Sequence, residues 1–311
     1  MNFGVELRPQ SPVTRPLDVM EVKVEDFAAR RRRALQRVDK QLSNGNFKTA
    51  QSLVKRLQGK SGGLRGFGAA KQIPKSLSAL EQLEFFDGVD LLSLRPLVDL
   101  VLDSIQSSLL DQDKIGGSEE LMHGEGSNCK DDHFLCLQHE AGHFLVGYLL
   151  GALPKGYSIP SMEDLTHGNF SSGKVEFLGF EFLREVGVDL MLKSNMKRKG
   201  MVVKANRGKI SSKILNQFSC IILGGLVAEH LEFGHSVGLH SDVEKLSNVT
   251  KWLGISGADA NFQMRWATLN TVFILHRHHE ARSRLVEAMA SDKSVGQCIS
   301  SIENAIEQKP I

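Results

Sequence analysis

The stretch CLQHEAGHFLVGYLLGALPKG, residues 136–156, places two histidines four positions apart, with a glutamate directly after the first, inside an almost wholly apolar run. A long run that is apolar on nearly every side reads as a helix inside a core, and Gly151 and Pro154 end it. Residues i and i+4 share one face of a helix, so His139 and His143 can reach a single ion. Glu140 stands where the H-E-x-x-H pattern of zinc hydrolases places its general base. In such sites three protein ligands hold the ion, the ion lowers the pKa of a water, and the neighbouring carboxylate takes that water's proton. Gly142 has no side chain and lets another backbone come close. The competing reading is two buried histidines hydrogen-bonded to backbone. Burying His, Glu and His together is costly unless each is satisfied, which favours a metal. A metal demands a third ligand. The extended pattern H-E-x-x-H-x-x-G-x-x-H needs Gly at 146 and His at 149, where the chain has Val146 and Leu149.

Composition bounds the rest. At 311 residues, 41% hydrophobic and 24% charged, the chain suits one large domain or two modest ones, with a core able to bury a polar site. A net charge of +2 argues against polyanion binding by bulk electrostatics, so no nucleic-acid partner is expected. Cys129, Cys136, Cys220 and Cys298 form no C-x-x-C pair. That opposes a cysteine-built zinc site and a disulfide scaffold, and fits a reducing compartment. No uninterrupted apolar run reaches the ~18 residues of a membrane span. The first residues lack the hydrophobic core of a signal peptide, and Glu6, Asp18, Glu21, Glu25 and Asp26 are acids that a transit peptide avoids.

Along the chain, residues 1–20 read as a disordered N-terminus and 21–128 as a helical N-terminal region. Two helices over 21–59 break at Gly45. A Gly-rich basic loop follows. Its Gly59-Lys60-Ser61 ends like a phosphate-binding loop, but Val54 replaces the first glycine, so the pattern fails. A further helix starts near Ser93 with Pro96 in its first turn. The polar segment 111–131 marks the boundary to a domain over 129–311. There, KVEFLGFEFL from Lys174 reads as a strand or hairpin. SSKILNQFSCIILGGLVAEHLEFG reads as a second buried helix, and SDVEKLSNVTKWLG as a shorter one capped by Ser241. Residues 258–290 and 293–307 read as helical. Arg30–Arg33 reads as a solvated helix face, with contact to nucleic acid or acidic lipid as the alternative. His276–Glu280 reads as a polar helix surface, with a stray metal site as the alternative. Glu229 is either a group behind a metal ligand or a buried packing residue.

The segment LGGLVAEHLEFGHSVGLHSDVEKL, residues 223–246, bears on the third ligand. Together with His139-Glu140-Ala141-Gly142-His143, it resembles the zinc peptidase domain of FtsH-type proteases. That family has an H-E-A-G-H helix, then L-G-G-x-x-A-E-E, then an Asp-Leu at a helix start. Leu223-Gly224-Gly225 with Ala228 and Glu229 matches the second motif, with His230 for the second acid. Asp242-Val243 matches the third, with Val for Leu. The resemblance spans roughly residues 130–300. It implies His139, His143 and Asp242 as ligands of Zn2+ and Glu140 as base. His235 and His240 lie close enough in sequence to Asp242 to compete with it.

The resemblance also implies a mainly α fold: a helical FtsH-type zinc peptidase domain with a small β-hairpin insertion, behind an α-helical N-terminal region. The implied activity is a zinc-dependent metalloendopeptidase that hydrolyses peptide bonds with zinc-activated water. FtsH-type enzymes feed substrate through an ATPase ring, and this chain shows no phosphate-binding loop. It is similar in this to the small FtsH-like proteins of plants and photosynthetic organisms, which are usually placed in the chloroplast; the alternative location is cytoplasmic. The implied partners are a protein or peptide substrate, and an FtsH-type ATPase or further copies of the chain. A second reading is a catalytically silent pseudoprotease that serves as scaffold or partner of a protease complex.

Overall fold

A computed structural model describes residues 16–60, 62–76, 84–114, 129–163, 173–198, 208–237, 239–255 and 257–307. Among these the protein is mainly α-helical, with two small antiparallel hairpins. The polar boundary segment lies largely outside the described residues, as do residues 1–15.

Helix α1 (Pro16–Ser43) begins at a proline, which suits a first helical position because its missing N–H has no partner there anyway. It turns into α2 (Phe47–Leu57) at Gly45, whose φ of 72° is left-handed backbone that favours glycine. A loop then leads to the hairpin of β1 (Phe85–Phe86) and β2 (Val89–Asp90) and to α3 (Leu91–Lys114). Helix α3 starts two residues before Ser93, so Pro96 lies in its second turn rather than its first.

Helix α4 (Cys129–Leu149) carries the H-E-x-x-H sequence through the middle of the molecule. Ala141, Phe144, Leu145 and Tyr148 on it are fully buried, each large one contributing about 2–3 kcal/mol of apolar burial. Strands β3 (Pro154–Ser158) and β4 (Lys174–Phe177) pair antiparallel with a register shift between Pro154 and Gly156. The strand expected from Lys174 therefore stops at Phe177, and Phe182 already opens α5 (Phe182–Arg198).

The apolar stretch from Ser212 divides into two consecutive helices, α6 (Ser212–Ile222) and α7 (Gly224–Phe233), rather than one. Leu223 is the joint, and Gly234 closes α7 in a left-handed C-cap with φ 77°. Among the described residues only Ser212–Phe233 is long and apolar enough for a membrane span, and 72% of its window is buried in the fold, as core helices are. Helix α8 (Leu239–Leu253) starts before Ser241, which is therefore inside the helix and not its cap. Residues 258–290 form two helices, α9 (Ala258–Arg277) and α10 (His279–Ala290), with His278 between them. Helix α11 (Val295–Glu307) follows.

The main packing axis is α4 against α7, where two glycines bring backbones together. A Cβ on Gly142 would overlap Gly224 O, and one on Gly224 would lie 2.8 Å from Gly142 O. Helix α10 lies along α4, and α11 lies along both α10 and α1, so the N-terminal arm buries Leu35 and Val38 in the same apolar cluster as Ile299 and Ile302.

Buried polar groups fix the loop between α2 and β1 to this frame. Glu303 accepts from the Arg65 and Gly66 N–H groups at 2.7 Å each and from the Tyr148 hydroxyl at 2.5 Å. Asn270 Oδ1 accepts from Ile73 N–H, and Trp266 Nε1–H donates to Ile73 O, both at 2.7 Å. The basic run Arg30–Arg33 is not uniformly solvated. Arg31 is 1% exposed and donates to Asn304 Oδ1 at 2.6 Å, while its three neighbours face out. A one-residue break in a charged face is invisible to composition, because a helix assigns each of four successive residues a different direction.

Candidate metal centre

The two histidines sit mid-way along α4, one turn apart, where the surrounding core holds them still. His139 Nε2 and His143 Nε2 approach to 2.9 Å. Asp242, in the first turn of α8, brings Oδ2 to 3.1 Å from His139 Nε2 and 3.0 Å from His143 Nε2. Three potential donor atoms thus form a nearly equilateral triangle, and Asp242 and His143 are buried.

The opposite edges of both rings are already bound. His139 Nδ1 lies 2.6 Å from Glu229 Oε1, and His143 Nδ1 lies 2.7 Å from Ile221 O. Carboxylate and carbonyl oxygens only accept, so each Nδ1 carries the proton and each Nε2 is left with its lone pair. Two lone pairs and a carboxylate oxygen then face one another at about 3 Å, which is repulsive unless a positive charge lies among them. Asp242 Oδ2 is buried without a hydrogen-bond partner. An imidazole–imidazole–carboxylate triangle of this size is the donor set of an open three-ligand site, and the group could hold a metal ion. Among the described residues it is the only such group found.

Electrostatics agree with a site built for positive charge. Burial opposes charging His139. The hydrogen bonds that the protonated ring donates to Asp242 and Glu229, with the charge of Asp242 and Glu140, outweigh that and raise its pKa well above the usual value. Burial likewise opposes ionising Asp242, but positive charge on His143, and donation from either ring when a proton rather than a metal sits on its Nε2, hold its carboxyl well below the ordinary range. A proton and a metal compete for the same atoms, so metal uptake releases a proton and weakens as pH falls. Lys245 Nζ donates to Asp242 Oδ1 at 3.1 Å, which leaves Oδ2 aimed into the triangle.

Glu140, next to His139 on α4, lies in the field of both histidines and Asp242. Burial raises its pKa, and the two histidines oppose the rise. Its Oε2 is buried without a partner. Gly173, just before β4, packs on Glu140: a Cβ there would lie 2.6 Å from Glu140 Cγ.

Glu229 is the group behind His139 and not mere packing. Its second oxygen accepts the Val237 N–H at 2.6 Å, so one carboxylate ties the ligand to the loop that leads into α8. Burial works against its ionisation, but the His139 hydrogen bond and charge prevail and lower its pKa. His235 is exposed, has Nδ1 3.1 Å from Phe233 O, and stays out of the triangle. The side chain of His240 lies outside the described residues. His276 and His279 are exposed on a helix surface.

Sequence reasoning missed three contributors. Ile221 O can reach His143 because α6 ends there, where it also accepts the Leu223 N–H, and the only sequence signal is the Gly224-Gly225 pair that breaks the helix. A Cβ on Gly225 would overlap the His139 ring. Lys245 follows Asp242 by three positions, a helix-neighbour spacing with no specificity of its own.

No family model, curated protein or solved structure matches the chain. The site therefore stands on its own geometry.

Glu229→Gln tests the arrangement behind His139. The amide keeps the shape but loses the charge, and metal affinity should fall about 10–100-fold, as read by competition with a chromophoric chelator. Unchanged affinity would return Glu229 to a packing role.

Proposed function

We propose that the chain is a zinc-dependent metalloendopeptidase of the FtsH-like kind. The observation that carries this is the convergence of His139 Nε2, His143 Nε2 and Asp242 Oδ2, with both Nδ1 atoms tied off and a buried carboxylate, Glu140, beside the first histidine. The donor set of two imidazoles and a carboxylate suits zinc. Zinc held there would polarise a peptide carbonyl and acidify a water. Glu140 then supplies the base. Its carboxylate takes a proton at its unpartnered Oε2, and burial tunes it toward the working pH. Glu229 and Ile221 O hold the two rings in the tautomer that presents Nε2, and Lys245 holds Asp242.

Intact Glu140 supports an enzyme over a pseudoprotease, because a purely structural metal site has no use for a free buried carboxylate at that position. The resemblance to plant FtsH-like proteins supports a chloroplast location and a protein or peptide substrate. The test is casein cleavage by the purified chain. Activity should disappear with a strong chelator and return with about one equivalent of zinc per chain. A metal-replete chain that cleaves neither casein nor unstructured peptides would favour the scaffold.

A further inference from the structure

We infer that the solvent face of α1 is a docking surface for duplex DNA, held through its phosphate backbone without regard to sequence. The charge of the whole chain conceals this face. Of the 38 Lys and Arg and 36 Asp and Glu, eleven cations and one acid, Asp39, fall in residues 27–65. That stretch is therefore +10 and the rest of the chain −8, although the sum is +2. The one acid is occupied at the start of α11. Asp39 Oδ1 accepts the Gly296 N–H and Oδ2 the Ser294 hydroxyl, both at 2.6 Å. Leu35, Val38 and Leu42 bury the inner side of α1, and Arg31 donates inward to Asn304. These contacts fix which side of the helix meets water. On that side Arg33, Arg37 and Lys40 recur one turn apart, with Arg30 and Arg32 exposed at its shoulders. Helix α2, packed against α1, adds exposed Lys48, Lys55 and Arg56 and no acid.

Chemistry and shape select the partner. Arginine suits phosphate, which its planar fork binds through two parallel N–H donors. Successive helix residues point about 100° apart, so these cations cover the crest of α1 and both shoulders. A planar bilayer would meet the crest alone. The major groove of B-form DNA, about 12 Å wide, admits a helix and turns phosphates toward its shoulders as well. A bilayer also calls for apolar side chains that enter the acyl boundary. Among the described residues of 27–65, Phe47 is the only large apolar side chain exposed, at 38%, and Lys155 Nζ lies 5.5 Å over its ring. An acidic protein fits less well for the same reason, because protein interfaces centre on apolar or aromatic anchors.

The experiment is fluorescence anisotropy of a labelled, arbitrary-sequence DNA duplex titrated with the full chain. Binding is expected at low salt and should weaken about a hundredfold between about 50 and 200 mM salt, as for four phosphate contacts. R33E/R37E should lower affinity at least about tenfold and reduce the slope of log affinity against log salt by about two. The variant should keep the helical circular dichroism and the metal content of the parent, since both side chains are exposed on α1 and far in sequence from the metal centre. The readout does not depend on whether the chain is a peptidase. Four outcomes would overturn the inference: no binding of the duplex at low salt, equal binding by R33E/R37E, tighter binding to phosphatidylglycerol vesicles than to the duplex, or tighter binding to polyglutamate than to the duplex.

Discussion

Glu140→Gln is expected to lower peptide hydrolysis about 10²–10⁴-fold while the chain keeps its zinc. The substitution is nearly isosteric and removes no ligand, since the converging atoms belong to His139, His143 and Asp242. A glutamine amide cannot take a proton from water near neutral pH, so the loss falls on turnover. Folding should change little. Glu140 is buried, and a neutral amide costs less there than a carboxylate, the same desolvation that raises the carboxyl pKa. The measurement pairs a casein assay with metal analysis of the same preparation, and adds complementation of a null mutant. If the zinc-replete variant complements fully, hydrolysis is not the task of this protein and the pseudoprotease reading replaces the enzyme.

His139→Ala and His143→Ala are each expected to take zinc from about one per chain to a small fraction of that. Three ligands are the minimum of an open catalytic site, and removing one leaves a bidentate remnant. The two losses differ behind the metal. His139→Ala takes from the buried Glu229 carboxylate the ring that lowers its pKa, although the hydrogen bonds from Ser236 and the Val237 N–H remain. His143→Ala removes one donor from the Ile221 carbonyl, which still accepts the Leu223 N–H. A buried charge that loses its ring partner carries the larger penalty, so His139→Ala should also melt at lower temperature than His143→Ala when both are metal-free. Stoichiometric zinc in the double variant, by mass spectrometry of desalted protein, would remove these residues from the ligand set.

Much of the site is local and can be read from the chain. Residues four apart on one helix meet by geometry alone, so His139 and His143 are legible as a pair before any folding is considered. The mainly helical class follows from long apolar-periodic runs, and Gly45 and Gly234 mark real stops because each adopts a left-handed φ. Gly142 is legible as a close approach, although the sequence does not name Gly224 as the backbone it meets.

The rest depends on contacts between segments far apart in sequence. Nothing in the sequence of Ser212–Phe233 separates one buried helix from two, because the stretch is apolar along most of its length; the joint at Leu223 goes with α7 lying on α4, with Gly225 against the His139 ring. Composition assigned Arg30–Arg33 to solvent as a block, while Arg31 turns inward to Asn304 on the last helix. Motif resemblance nominated Asp242, but only the packing of α8 places its carboxylate 3.0 Å from His143. The sequence by itself determined the paired imidazoles and the need for a partner. Tertiary structure decided which distant carboxylates complete and orient them, because helix spacing is set by local backbone geometry whereas the arrival of a remote side chain is set by the packing of the whole core.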